Sequence, residues 1–120
     1  MNDTNVIKDK SRGFAIRIVK LYKYLCEEKH EYILSKQLLR SGTSIGANIN
    51  EALCGISKRD FLAKIYVSYK EAAECKYWLD LLYTTEYLSE KEFVSINKDC
   101  DELLRILGSI TKTTRNTLNS

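Results

Sequence analysis

Proline is absent from this 120-residue chain and glycine occurs only five times, so the turn punctuation of an all-β domain is missing and long helices are favoured. A single histidine, His30, sits in a turn beside Glu31 with no recognisable partner motif, which leaves a Ser, Cys or Thr nucleophile without a base. No glycine-rich phosphate loop is present: Gly42 and Gly46 lie inside a helical pattern with no preceding strand and no G-K-[ST] ending. No run approaches the ~20 apolar residues that cross a bilayer, and the polar opening MNDTNVIKDKSRG has no apolar signal core. These absences point to a cytoplasmic, non-enzymatic helical protein with no catalytic residues, no cofactor and no membrane partner.

Cysteine is present but not patterned. Cys26, Cys54, Cys75 and Cys100 fall one to a helix or helix end without C-x-x-C spacing, so reduced, buried thiols are expected rather than a disulfide framework. A thiolate metal site needs all four at one height, whereas Cys26 and Cys54 end successive helices and therefore lie at opposite ends. Opposed carboxylates in a helical bundle suggest di-iron chemistry only with Glu-x-x-His pairs, which one histidine cannot supply. No metal is expected.

What the chain does have is periodicity. A stripe of Ile7, Phe14, Ile18, Leu21 and Leu25 returns to one helical face and predicts a first helix over about Lys8 to Glu28. After the charged break Glu27 to Glu31, a second stripe runs through Leu34, Leu38, Ser41, Ile45, Ile49, Ala52 and Ile56. Ser57 and Asp60 form a capping-box pattern with Asp for Glu, and Ile56 and Phe61 stand at staple positions, opening a third helix whose core is Phe61, Ile65, Ser68, Ala72, Cys75, Leu79 and Leu82. Ser89 with Glu92, flanked by Leu88 and Phe93, opens a fourth through Ile96, Cys100, Leu103, Leu107 and Ile110. Short connections between long helices predict an all-α, antiparallel up-down-up-down four-helix bundle. It forms one domain over 1–120, with frayed ends at about 1–7 and 113–120.

Two constellations are candidates for function. The first is basic: residues 1–30 hold seven Lys/Arg against four Asp/Glu, while the remainder is balanced. Lys8, Lys10, Arg12, Arg17, Lys20 and Lys23 are thus the best placed for phosphate contacts, with Lys112 and Arg115 as additions. The second is a polar ridge on helix two, Gln37, Arg40, Ser44, Asn48 and Glu51, facing Glu71 and Glu74 of helix three. It reads as a register-fixing network within or between subunits, or as a ligand-binding ridge. Its segment QLLRSGTSIGANINEA carries glycines that each cost roughly 1 kcal/mol in a helix, which close packing against a neighbour would justify. Tyr66, Tyr69, Tyr77 and Tyr83, with Trp78, lie off the main stripe and suit an oligomer or protein interface.

QLLRSGTSIGANINEA, followed by SKRDFLAKI and KEAAECKYWLDLL, resembles the bacterial four-helix bundle family that includes proteins encoded in 23S rRNA intervening sequences. The likeness covers about Phe14 to Ile110 and rests on Arg40, Ser44, Ile45, Asn48, Ile49, Glu51, Ser57, Phe61, Glu71, Glu74 and Leu79 in order. Many members have Pro and Gly where this chain has Gly46 and Ala52, so it looks like the branch reading S-I-G-A-N-I-x-E-A. The resemblance implies a left-handed bundle, a homopentameric ring, and relatives among accessory proteins of diversity-generating retroelements that bind reverse transcriptase and RNA. It implies no catalytic residue. The expected function is therefore a homo-oligomer binding RNA or an RNA–protein complex through basic surface repeated around the ring. The alternative is a protein-interaction module with no nucleic-acid partner.

Overall fold

The computed structural model describes residues 3–119; Met1, Asn2 and Ser120, the outermost of the ends expected to fray, lie outside it. Four helices, α1 (Asp3–Glu27), α2 (Leu34–Leu53), α3 (Lys58–Thr84) and α4 (Glu90–Asn119), account for the fold, with no strand among the described residues. They pack side by side into a body of 50 × 23 × 22 Å. α1 touches α2 and α4, and α3 touches α2 and α4. The outer helices run further toward the termini than their polar ends suggest, and Ile7 is fully buried.

The starts of α2, α3 and α4 have identifiable causes. Ser57 is extended (φ −147°, ψ 165°) and its hydroxyl accepts from the Asp60 backbone N–H at 3.1 Å. Ser89 and Glu92 make the full reciprocal box, at 2.8 and 3.1 Å. α2 begins differently: no side chain at Ile33 caps it, and the buried Glu31 carboxylate instead accepts from the N–H groups of Ile33, Leu34 and Ser35. An anionic acceptor suits the positive end of the helix dipole. The two long reversals pass through left-handed residues, His30 (φ 55°) and Glu86 (φ 71°), where no glycine is present.

The core follows the expected stripes with a few exceptions. Phe14, Ile18 and Leu25, Leu38, Ile45 and Ile49, Ile65, Leu79 and Leu82, and Ile96, Leu103, Leu107 and Ile110 are buried, whereas Leu21 and Phe61 are half-buried. Ser11 occupies the fully buried slot between Ile7 and Phe14 that an apolar count passes over. Ile56 departs most from expectation: it is 96% exposed and makes no staple with Phe61. The reason is that α2 stops at Leu53; the N–H groups of Cys54 and Gly55 bond back to Glu51 and Ala52, the chain turns outward, and the helical period no longer applies. Cys54 is exposed for the same reason, against the expectation of four buried thiols.

The glycines of α2 mark its approach to α1. A Cβ on Gly42 would stand 2.8 Å from both γ-carbons of Ile18, and one on Gly46 would meet the Ser11 hydroxyl at 3.3 Å. Both glycines are buried. They let two helix backbones come close, a packing role and not an interruption of the helix.

Candidate functional site

The polar ridge resolves into separate parts. Arg40 donates through Nη1 to Glu71 Oε2 at 2.9 Å and through Nη2 to Glu74, so one guanidinium of α2 ties two carboxylates of α3. Burial pulls the Arg40 pKa down, yet the attraction of Glu71 and Glu74 outweighs it and the group ends above its ordinary value. Glu51 is not in this cluster; it takes Lys64 at 3.3 Å, further along the same seam. Ser44 and Asn48 do not cross to α3 at all. Ser44 donates to the Arg40 carbonyl and Asn48 to the Ser44 carbonyl, one turn back on their own helix.

That pattern extends along α2. Thr43 and Asn50 also donate to carbonyls four residues earlier, so the polar residues of QLLRSGTSIGANINEA largely satisfy themselves. The bonds crossing to α3 lie deeper: the Ser68 hydroxyl donates to the Ile45 carbonyl at 2.8 Å, and Ser41 meets Cys75 Sγ at 3.2 Å. Desolvation by burial pushes Cys75 up to about 12, against the lowering bond from Ser41, and burial with the neighbouring Cys75 likewise pushes Cys100 to about 12. Two protonated thiols therefore sit in the core where α3 meets α4. Cys100 donates to the Ala72 carbonyl.

The basic residues of α1 divide into two sets. Lys10 pairs with Glu102 at 3.0 Å, and Arg17 donates to Asp99 at 2.6 Å and to Ser95, so both are spent on α4. Lys8, Arg12, Lys20 and Lys23 are exposed and in no ion pair among the described residues. At 3.6 residues per turn, Arg12, Lys20 and Lys23 share an outward strip with Asp9, Ile16 and Val19, the latter two 40% and 37% exposed. A sequence count of cations cannot separate the sets, because the deciding acids come from α4.

Of the off-stripe aromatics, Tyr83, stacked on Phe93 (4.5 Å between centroids), and Tyr69 are half-buried against the core, whereas Tyr66 and Tyr77 are exposed. Trp78 is partly buried against the core, with its Nε1 buried and unpartnered. Lys112 and Arg115, named from sequence as additions to the basic face, line a different part of the surface with Arg59, Tyr66 and Tyr69. Sequence reasoning did not join Arg59 to them.

Taken together, the molecule is an all-helical four-helix bundle whose named polar groups serve helix contacts or stand as free surface charge. Residues 3–109 match the family described as 23S rRNA-intervening sequence protein, and the chain belongs to that family. It is similar to a protein of unknown function from the S23 ribosomal protein family of Bacteroides thetaiotaomicron, solved by crystallography at 1.70 Å. The two are 52% identical with a TM-score of 0.91, over 92% of this chain and 99% of that one. No curated protein sequence matches. None of the four helices is long and apolar enough to cross a membrane.

Proposed function

We propose that the chain is a non-enzymatic, cytoplasmic subunit of a homopentameric ring that binds RNA or an RNA–protein complex. Each subunit is then a left-handed bundle running up, down, up and down. The cross-helix pairs support that direction: Ile18 and Ser11 meet Gly42 and Gly46, and Lys10 and Arg17 meet Glu102 and Asp99, with one number rising as the other falls. Val67 and Tyr77, 42% and 57% exposed on α3, are apolar surface that a neighbouring copy would cover.

The observation that carries the RNA reading is the set of unpaired cations on α1, Lys8, Arg12, Lys20 and Lys23. Repetition around a ring would turn a modest patch into an extended positive field. Filter binding of 23S-derived and unrelated RNA at two salt concentrations tests it: retention that falls steeply with salt supports phosphate contacts, and no retention at low salt overturns the reading. Light scattering tests the ring. A strict monomer would instead favour a protein-interaction module, for which exposed Tyr66 and Tyr77 are the supporting observation.

A further inference from the structure

The end of α4 lies beside the start of α3, and the surface there differs from the depression by Lys20 and Tyr24 on α1, which Glu92 also lines, in having a near-parallel pair of aromatic rings among its free cations and no carboxylate. Two adjoining depressions, of about 380 and 310 Å³, share Tyr66 and Arg115 in their walls. Arg59 lines one, and Tyr69 and Lys112 line the other, so together they form a groove across the two helices. No Asp or Glu lines either depression. Arg59, Lys112 and Arg115 take part in no ion pair among the described residues, unlike Lys10, Arg17, Arg40, Lys64 and Lys76.

Within the groove, Tyr66 and Tyr69 stand one helical turn apart with ring planes 12° from parallel and centroids 6.4 Å apart. Lys70 Nζ lies 5.9 Å from the Tyr66 ring centroid. Tyr69 reaches across to Gly108, where a Cβ would stand 3.5 Å from its ring, so a residue larger than alanine would press on it. Tyr66 is 45% exposed and its phenol is not committed to the core.

We propose that this groove binds a single-stranded segment of nucleic acid, with unpaired bases stacking on Tyr66 and Tyr69 and phosphates meeting Arg59, Lys112 and Arg115. The ligand class rests on the RNA-binding reading above; the location does not, since it adds an α3–α4 groove, lined by Arg59, Lys112 and Arg115, to the α1 face. The occupant follows from chemistry. Free cations without acids select a polyanion, and parallel aromatic rings select one that offers flat faces. A duplex hides those faces in its stack, and an acidic peptide has charge without them.

Fluorescence anisotropy with a labelled single-stranded RNA, the same sequence as DNA, and the corresponding duplex tests the assignment. Both single strands are expected to outbind the duplex with similar affinity for RNA and DNA, which supports recognition through bases; a strong preference for RNA would place the contact on the 2′-hydroxyl and overturn the stacking role. Tyr66→Ala is expected to weaken binding about ten-fold while Tyr66→Phe retains it, since stacking needs the ring and not the hydroxyl. Arg59→Ala with Arg115→Ala is expected to flatten the dependence of log affinity on log salt by about 0.7 per cation removed. Arg12→Ala, Lys20→Ala and Lys23→Ala together are expected to weaken single strand and duplex by a similar factor, leaving the preference for the single strand in place, because α1 meets phosphates only. Loss of binding in that triple variant, with the groove variants unchanged, overturns the groove and keeps the α1 reading. Binding in no arm overturns both, and displacement of the strand by poly-glutamate as readily as by unlabelled RNA overturns the stacking role.

Discussion

Toward α1, helix α2 presents Gly42 and Gly46 and lets Ile18 and Ser11 come up to its backbone, whereas toward α3 it presents Ser41, the Ile45 carbonyl and Arg40, which meet Cys75, Ser68 and the Glu71–Glu74 pair. One flank is closed by missing side chains and the other by polar ones. The difference shows two ways of fixing how helices meet: steric exclusion, which at Gly42 leaves no room for an added atom, and hydrogen bonds at depth with ion pairs at the rim, which can lose one member and keep the rest. The glycine flank should therefore fail sharply at Gly42 and the polar flank by degrees.

The sharpest way to break that contrast is Gly42→Leu, whose Cβ already collides with the branched root of Ile18. It is expected to cost at least about 3 kcal/mol in urea unfolding, with part recovered by Ile18→Ala in a double-mutant cycle. A mild response would mean the flank yields. Next is alkaline pH, which acts on the core around the polar flank. Burial raises the Cys75 and Cys100 thiols from an ordinary value of 9.0 to about 12 in the folded chain, so the stability they contribute is complete below pH 9 and is lost as pH rises from there through 12. Between pH 8 and 10 the two should lose about 2–3 kcal/mol together relative to a C75A/C100A variant measured in parallel.

Smaller effects sharpen the comparison further. Ser68→Ala removes one buried bond to the Ile45 carbonyl and should cost about 1 kcal/mol by chemical denaturation. Arg40→Ala opens a pair at the rim, where the arginine side chain is 51% exposed; less than about 1 kcal/mol is expected, falling further at high salt. Gly46→Ala should shift the thermal midpoint least, because the 3.3 Å approach to a serine hydroxyl opposes a helix-propensity gain of roughly 1 kcal/mol. A Gly46→Ala loss as large as that of Gly42→Leu would erase the distinction between the two positions.

Helix number, approximate spans and most of the core are legible in the sequence, because the stripes from Phe14 to Leu25 and from Ile65 to Leu82 are local patterns with a fixed period. The caps at Ser57 and Ser89 are equally local. Glu31 was harder to read: its carboxylate closes the start of α2 from outside the usual Ser/Thr/Asp/Asn cap position. Ile56 misleads because periodicity continues for a few residues beyond the point where the backbone stops being helical. The polar ridge looks continuous by spacing, yet Ser44 and Asn48 turn to their own helix, and spacing alone does not say which of two acceptors a short side chain takes.

The basic residues show the boundary most clearly. Composition alone established that cations are in excess near the N-terminus, and the repeating apolar steps established that they ride on a helix. Which of them remain free was decided by packing: Glu102 and Asp99 come from α4 to take Lys10 and Arg17, and Arg59 of α3 comes beside Arg115 of α4 in a groove that has two tyrosines and no acid. Periodicity is a property of a few consecutive turns and is written in neighbouring residues. Charge pairing between helices, and the placing of Arg115 beside Tyr66, depend on contacts between residues far apart in the chain, which exist only once the helices have packed.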